Sequence, residues 1–456
     1  MNKLLISAAV AALTFGLVAP ANAQVKLDLG GHFKGYGAYV DQDEPGNIAD
    51  ANAAVAGVNE GVEVRSIDIL RETEIHFTGE TTLDNGLTVG FHAEADIDGG
   101  AADQFNTEEA YAYFSGAWGR VNFGKEDGAA YLLQVAAPSA DSNVDGIRQY
   151  INPVNYANIG NTAGQFGGAT PATNVLLQNL VNGLALDTII NDIDGSNTGT
   201  ANDIRIGASG ANRNLTGTVF DYDHAVSGTS NKFTYLTPVF NGFQAGFSYT
   251  PELSAVSRGI AGNSIDDQGA GNYGDVWDVA ARYEGQFGEV GLALGAGYTH
   301  AEQEDNSAVV APVFYRDVNN NGTFNAGVDG VVGSLDDRAA WNVGVDLNWG
   351  PFGLGAVYME DDNGVSGDAL ETETWAVGID YTTGPFKLGA SYLNQDQAVA
   401  SNEVETDRYT GGVTYTYGPG MSFRGSISFI DHDENTGFQN SSADATSVLL
   451  GTQIDF

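Results

Sequence analysis

The 456-residue chain carries 59 acidic against 18 basic side chains, a formal net charge of −41, and no cysteine. So acidic a chain lacks the basic face a nucleic-acid binder needs, and zero cysteine excludes a disulfide scaffold, a thiolate metal site and a cysteine nucleophile. A hydrophobic content of 42% with 10% aromatics also excludes a disordered chain.

The first element is an export signal. Asn2-Lys3 supplies a short positive start, Leu4 to Val18 an apolar run too short to span a bilayer, and Ala21-Asn22-Ala23 the small-residue cleavage pattern. Residues 1–23 therefore read as a signal peptide and 24–456 as the mature domain. Removing 23 residues, with Lys3 their only charge, leaves 433 residues at −42. Beyond the signal no apolar run approaches the ~20 residues of a membrane helix, so a secreted soluble protein and a membrane β-barrel remain.

Period-two alternation dominates the rest of the chain. Leu27, Leu29, Phe33 and Tyr39 alternate with Asp28, His32, Lys34 and Tyr36, and Ile69, Thr73, Ile75 and Phe77 with Asp68, Glu72, Glu74 and His76. The pattern returns at Leu87 to Asp96, Trp341 to Trp349, Trp375 to Tyr381 and Phe423 to Phe429. Each segment has one apolar and one polar wall, because successive strand side chains leave on opposite faces. A soluble sandwich would bury the apolar wall. The charges, glycines and tyrosines on the polar wall and the aromatics at strand ends fit a water-filled lumen with aromatic girdles better.

Turn signals stand at 84–86, 117–119, 241–242, 287–289, 350–352, 384–386 and 418–420, each between strand patterns. Longer polar stretches lie near 41–62, 97–106, 126–230, 251–274, 301–337, 361–370, 395–407 and 431–444. These connections predict an all-β, antiparallel transmembrane barrel of about sixteen strands, with short periplasmic turns and long extracellular loops.

Several segments carry a family resemblance: the signal peptide; Glu108-Glu109-Ala110-Tyr111-Ala112-Tyr113-Phe114; Gly119-Arg120-Val121-Asn122-Phe123-Gly124-Lys125-Glu126-Asp127-Gly128; Phe240-Asn241-Gly242-Phe243; and the terminal Phe456. Together these resemble the Gram-negative general porins of the outer membrane. The resemblance implies a homotrimer of sixteen-stranded barrels surrounded by outer-membrane lipid and lipopolysaccharide. It also implies a terminal Phe456 read by the barrel-assembly machinery, and a third loop, here 126–230, folded into the lumen as the constriction.

By alternation Lys34, Arg120, Arg282, Arg408 and Arg424 point inward, and Glu126, Asp127, Asp141 and Asp145 lie on the first part of the third loop. Acids on a loop facing bases on a wall would set a field across the pore. Pairing of each base with a nearby carboxylate is the competing explanation.

Gly119 to Lys125 fits a phosphate-loop pattern, but Glu126 stands where Ser or Thr is required and the stretch alternates as a strand. The six histidines, at 32, 76, 92, 224, 300 and 432, are scattered without metal-ligand spacing and read as lumen or loop residues, and no Gly-x-Ser-x-Gly elbow exists. Asp317, Asn319 and Asn321 occupy the first, third and fifth places of a calcium-loop opening with Gly322 sixth, although the twelfth place is Val328 and Asp329 comes one residue late. An Asn/Gly-rich surface turn explains the same letters.

The reading is a non-enzymatic, cofactor-independent channel for passive diffusion of ions and small hydrophilic solutes, preferring cations. A substrate-specific outer-membrane channel and a soluble, acidic, calcium-binding β-protein are the alternatives.

Overall fold

A strand with one apolar and one polar wall can separate hydrocarbon from water only if every backbone group is paired and the sheet has no edge. The computed structural model closes its sheet without an edge. It describes residues 26–42, 65–97, 106–135, 154, 189–191, 203–206, 222–253, 273–304, 314–321, 324–400, 402–436 and 439–456. The expected signal peptide, residues 1–23, lies outside them.

In chain order the strands are β1 (Lys26–Gln42), β2 (Ile67–Thr82), β3 (Thr88–Asp96), β4 (Asn106–Gly116), β5 (Gly119–Lys125), β6 (Ile189–Asn191), β7 (Asp203–Ile206), β8 (Asn231–Leu236), β9 (Phe243–Glu252) and β10 (Tyr273–Phe287). They continue as β11 (Val290–Gln303), β12 (Phe314–Asp317), β13 (Gly330–Gly333), β14 (Arg338–Trp349), β15 (Phe352–Asp361), β16 (Thr372–Thr383), β17 (Phe386–Val399), β18 (Asn402–Gly418), β19 (Met421–Thr436) and β20 (Gln439–Asp455). All but β6, β7, β12 and β13 form one closed, antiparallel, sixteen-stranded barrel. A single helical turn, α1 (Ala129–Leu132), follows β5.

Closure is made where β1 pairs with β20, from His32 opposite Asp455 to Gln42 opposite Ala445. Below that ladder the main chains of Gly31 and Phe456 exchange N–H···O bonds of 3.0 and 3.1 Å.

Facing follows the sequence alternation. Leu27, Leu29, Ile69 and Ile379 are exposed on the outer surface, whereas Lys34, Tyr36 and Asn342 between such positions are buried. Trp341 and Trp349 on β14 are both exposed on that outer face. Eight residues at ~3.4 Å each, on a strand tilted by ~40°, separate them by roughly 20 Å along the membrane normal, close to the height of a barrel's apolar band. Each joins a ring contact with its neighbour strand, Trp341 with Tyr358 at 5.0 Å and Trp349 with Phe352 at 6.3 Å. These are the two girdles.

All seven expected turns join paired strands. Two of the eight expected loops are instead sheet. The stretch 395–407 pairs with itself from Gln395 opposite Thr406 to Val399 opposite Asn402, and 431–444 from Asp431 opposite Asp444 to Thr436 opposite Gln439. Their polar letters hide the strand pattern because the buried face carries polar side chains too, with Gln395, Gln397, Thr406 and His432 all buried. A second correction concerns 126–230 and 301–337. Segments of both build a four-stranded sheet outside the barrel ladder, in the order β13-β12-β7-β6, with Phe314 opposite Ile206 and Asp317 opposite Asp203.

Candidate pore constriction

Sixteen strands enclose more space than inward side chains fill, so the path of the longest loop determines what passes. Its outgoing arm, 126–135, lies along the inner wall formed by β9, β10, β11 and β14. A Cβ on Gly344 would stand 2.3 Å from Val135 O, and one on Gly297 would stand 3.1 Å from the Ala130 methyl. Only the bare backbone of these wall glycines lets the arm lie flat. Ala129 and Ala130 are fully buried there, and the Ala129 N–H donates to Ser248 Oγ at 3.0 Å.

The returning arm, 222–230, locks the outgoing one. Gln134 donates from Nε2 to Tyr222 O at 2.6 Å and accepts from the His224 N–H at 3.1 Å. Lys232 donates to the carbonyl oxygens of Glu126, Gly228 and Ser230. Below them Asp278 accepts hydrogen bonds from Ser227, Ser248 and Thr299. Buried carboxylates are stable when so fully hydrogen-bonded.

The expected site residues divide into three groups. Asp141 and Asp145 lie outside the described residues. Glu126 belongs to the loop, as expected, but points into packing: it is 3% exposed, and Asn122 Nδ2 donates to its Oε1 at 2.5 Å. Burial pushes its carboxyl up to about 8, against an ordinary 4.5. It therefore anchors the loop as a mostly neutral acid. Asp127, half-buried beside it, donates its N–H to Glu109 Oε1 at 3.3 Å.

All five bases face inward, yet the picture of bases opposing loop acids is only partly right. Lys34 Nζ lies 2.6 Å from Glu72 Oε2 on the neighbouring strand, and Arg282 Nη2 lies 2.6 Å from Glu284 Oε1. Arg282 also donates to Gln134 O at 3.0 Å, holding the end of the arm. Arg120 donates to Asn122 Oδ1 at 2.6 Å and stacks 4.1 Å above the Tyr113 ring. Arg424 donates to Ser422 Oγ at 3.1 Å, and Arg408 is 7% exposed. In the closed strand order β18 to β20 and β1 stand across the barrel from β10 and β11. Lys34, Arg408 and Arg424 thus face the seated arm, whereas Arg120 and Arg282 stand on its own side.

Asp317, Asn319 and Asn321 are brought into one turn, but their oxygens serve the turn itself. The Asn321 N–H donates to Asp317 Oδ1 and Asn319 Oδ1, both at 3.2 Å, and Asp329 accepts the N–H groups of Val318 and Asn325. As placed, the carboxylates of Asp317 and Asp329 accept backbone N–H groups of their own turn.

The histidine expectation needs correction. His32, His76 and His92, far apart in sequence, form one row on β1, β2 and β3, with ring centroids 6.2 and 5.7 Å apart. With Glu74 and Glu94 they form the groups of described residues able to hold a metal ion: His32, Glu74, His76, and His76, His92, Glu94. Sequence reading missed them because the ligands belong to neighbouring strands. The available signal was a Glu-x-His on β2 beside a His-x-Glu on β3.

Comparison with known proteins agrees with this architecture. The anion-selective porin of Comamonas acidovorans is 16% identical, with 95% of this chain and 100% of that chain covered at a TM-score of 0.51. OmpT, an outer-membrane protein of Vibrio cholerae solved in a trimer form, is 11% identical, with 95% and 100% covered at 0.50. Sequence search among curated proteins gives no match. The family model of the Gram-negative porins matches residues 7–436. With a closed sixteen-stranded barrel, outward aromatic girdles and a loop laid along its inner wall, the chain belongs to the Gram-negative porin family.

Proposed function

We propose that this outer-membrane porin conducts ions and small hydrophilic solutes by passive diffusion, with the segment starting at Glu126 as its constriction and a preference for cations. The observation that carries this is the seating of 126–135 against Gly297 and Gly344, with Tyr222 of the returning arm in one buried cluster with Val40, Ile430 and Ala445 of β1, β19 and β20, which narrows the lumen. The relative from Comamonas acidovorans is anion-selective, so the sign of selectivity follows from each chain's own charges. Here the bases Lys34 and Arg282 are ion-paired, while Glu74 and Glu94 add further acid to the wall.

The same reading includes a homotrimer, for which the trimer form of OmpT is a precedent. It also includes export through a cleaved 1–23 signal, a lipopolysaccharide-containing outer leaflet and assembly through Phe456. Liposome swelling with neutral sugars tests it. Uptake that falls smoothly with solute size supports diffusion; saturation by one solute would favour a substrate-specific channel, and no uptake would refute the reading.

A further inference from the structure

We propose that His76 is the centre of a binding site on the lumen wall for one divalent transition-metal ion of the zinc, nickel or copper class. The wall register builds it. His32 on β1 stands directly opposite Glu74 on β2, and His76 on β2 directly opposite Glu94 on β3. Glu74 and His76, like His92 and Glu94, are two residues apart and so share a face. Diagonal neighbours in an antiparallel sheet are within reach of long side chains. The five groups therefore converge on one patch, held by main-chain ladders.

The spacing already approaches that of a coordination shell. His76 Nε2 lies 3.1 Å from Glu74 Oε1, His76 Nδ1 3.5 Å from Glu94 Oε1, His32 Nε2 3.7 Å from Glu74 Oε2 and His92 Nε2 2.7 Å from Glu94 Oε1. Ligands ~2.0–2.2 Å from a tetrahedral ion stand ~3.3–3.5 Å from each other. In each group of three the ligand atoms fall within 4.8 Å, so small side-chain rotations close the shell without moving the backbone.

Hydrogen bonding alone leaves the patch incomplete. His76 Nε2 is shielded from solvent, and its one close partner, Glu74 Oε1 at 3.1 Å, is out of line for a well-formed hydrogen bond. Glu72, the adjacent carboxylate, is shared between Lys34, whose Nζ lies 2.6 Å from its Oε2, and His32, whose Nε2 lies 3.1 Å from its Oε1, so His32 joins Glu74 in a shell by turning from Glu72. Thr78 Oγ1 sits 2.8 Å from His92 Nδ1 and orients the ring with Nε2 toward Glu94, the outer support that metal-ligating histidines need. Imidazole mixed with carboxylate selects zinc, nickel or copper over calcium and magnesium, which favour oxygen shells.

The position of this patch in the conducting path rests on the channel reading; the binding itself does not. Titration calorimetry of the purified protein with zinc chloride, beside single-channel recording with zinc added and then chelated, tests both. One saturable site is expected, weakened roughly tenfold or more in His76→Ala and in the better-filling His76→Gln. Weaker losses are expected in His32→Ala or His92→Ala, according to which group of three dominates. Both His76 variants should keep the heat-modifiable gel mobility of a folded barrel. Unchanged zinc affinity in folded His76→Gln, or equal competition by calcium, would overturn the site. Zinc bound through His76 that leaves conductance unaltered would overturn its place in the conducting path without touching the site, whereas a protein that shows no channel conductance at all would overturn the channel reading.

Discussion

His224 donates from Nε2 to Thr299 Oγ1 at 2.7 Å and so ties the returning arm of the long loop to β11. Asn342 Nδ2 lies 2.5 Å from the other ring nitrogen. An amide nitrogen only donates, so Nδ1 is the acceptor and the ring is neutral.

Burial holds the His224 imidazolium well below its usual range, down to about 4, with Asp278 and Asp361 opposing the shift only in part. A histidine whose folded pKa is depressed binds its proton preferentially in the open state. Loop seating should therefore weaken as pH falls from about 6.5 toward about 4. Single-channel records at pH 4.5 should show more closures than at pH 7, and His224→Gln should lose most of that difference. Identical records for both proteins at both values would refute the link.

Gly344 offers a steric counterpart. An added methyl meets Val135 O at 2.3 Å, and the backbone there has no easy retreat because the arm is fastened at Gln134. Gly344→Ala should displace the arm toward the pore axis at a cost of about 1–3 kcal/mol, lowering unit conductance while the barrel still folds. Conductance equal to wild type would mean that the arm does not limit flow.

Arg at Ile379, outward and 56% exposed, or at Val345 on the same kind of face, should cost roughly 2–4 kcal/mol in folding into vesicles if lipid-exposed. Arg at inward Asp346 should be tolerated. Asp380 is a poorer control, because Lys387 Nζ lies 3.2 Å away and a new base would face it. Equal costs at Ile379 and Asp346 would reject the facing.

The wall was legible because strand facing is local: Leu27 against Asp28, or Trp341 against Asn342, declares its face without knowledge of its neighbours. Seating of the loop was not. It depends on Gly246, Gly297 and Gly344, which read in the sequence as ordinary lumen glycines, and on Lys232, which joins carbonyls of its own arm to Glu126 O on the other. Glu126 was found as a loop residue, but its burial rests on Asn122 and could not be read from the letters. The histidine row was hidden for the same reason, since His32, His76 and His92 meet only once the β1 to β3 register is known.

Phe456 closes the seam through two main-chain bonds to Gly31 while its side chain is 59% exposed. Deleting it removes both bonds, about 1–3 kcal/mol in all, whereas Phe456→Ala keeps them. If the ring is the assembly signal, both variants should lose outer-membrane yield to a similar degree; if only the seam matters, the alanine variant should assemble normally. Normal yield of both would sink either role.

The pore should prefer cations, most strongly in dilute salt. Of the inward bases, Lys34 and Arg282 are offset by Glu72 and Glu284, whereas Glu74 and Glu94 exceed the bases beside them. Not every acid contributes. Asp278 is sealed beneath the loop, Glu126 is largely protonated, and Glu373, Asp396, Glu405 and Asp433 form a cross-strand row on the faces of Trp375 and Tyr409, outside the lumen. The preference is therefore weaker than the net charge of −41 suggests, and a low-dielectric wall concentrates what remains. Screening shortens the reach of these charges from about 30 Å at 0.01 M salt to about 3 Å at 1 M. The reversal potential in a potassium chloride gradient should accordingly fall toward zero across that range. Neutralising Asp127, Asp141 and Asp145 together should lower it further if the third loop lines the pore. Anion preference at low salt would refute the charge argument, whereas cation preference untouched by the triple change would place the selective charges on the β1 to β3 wall instead.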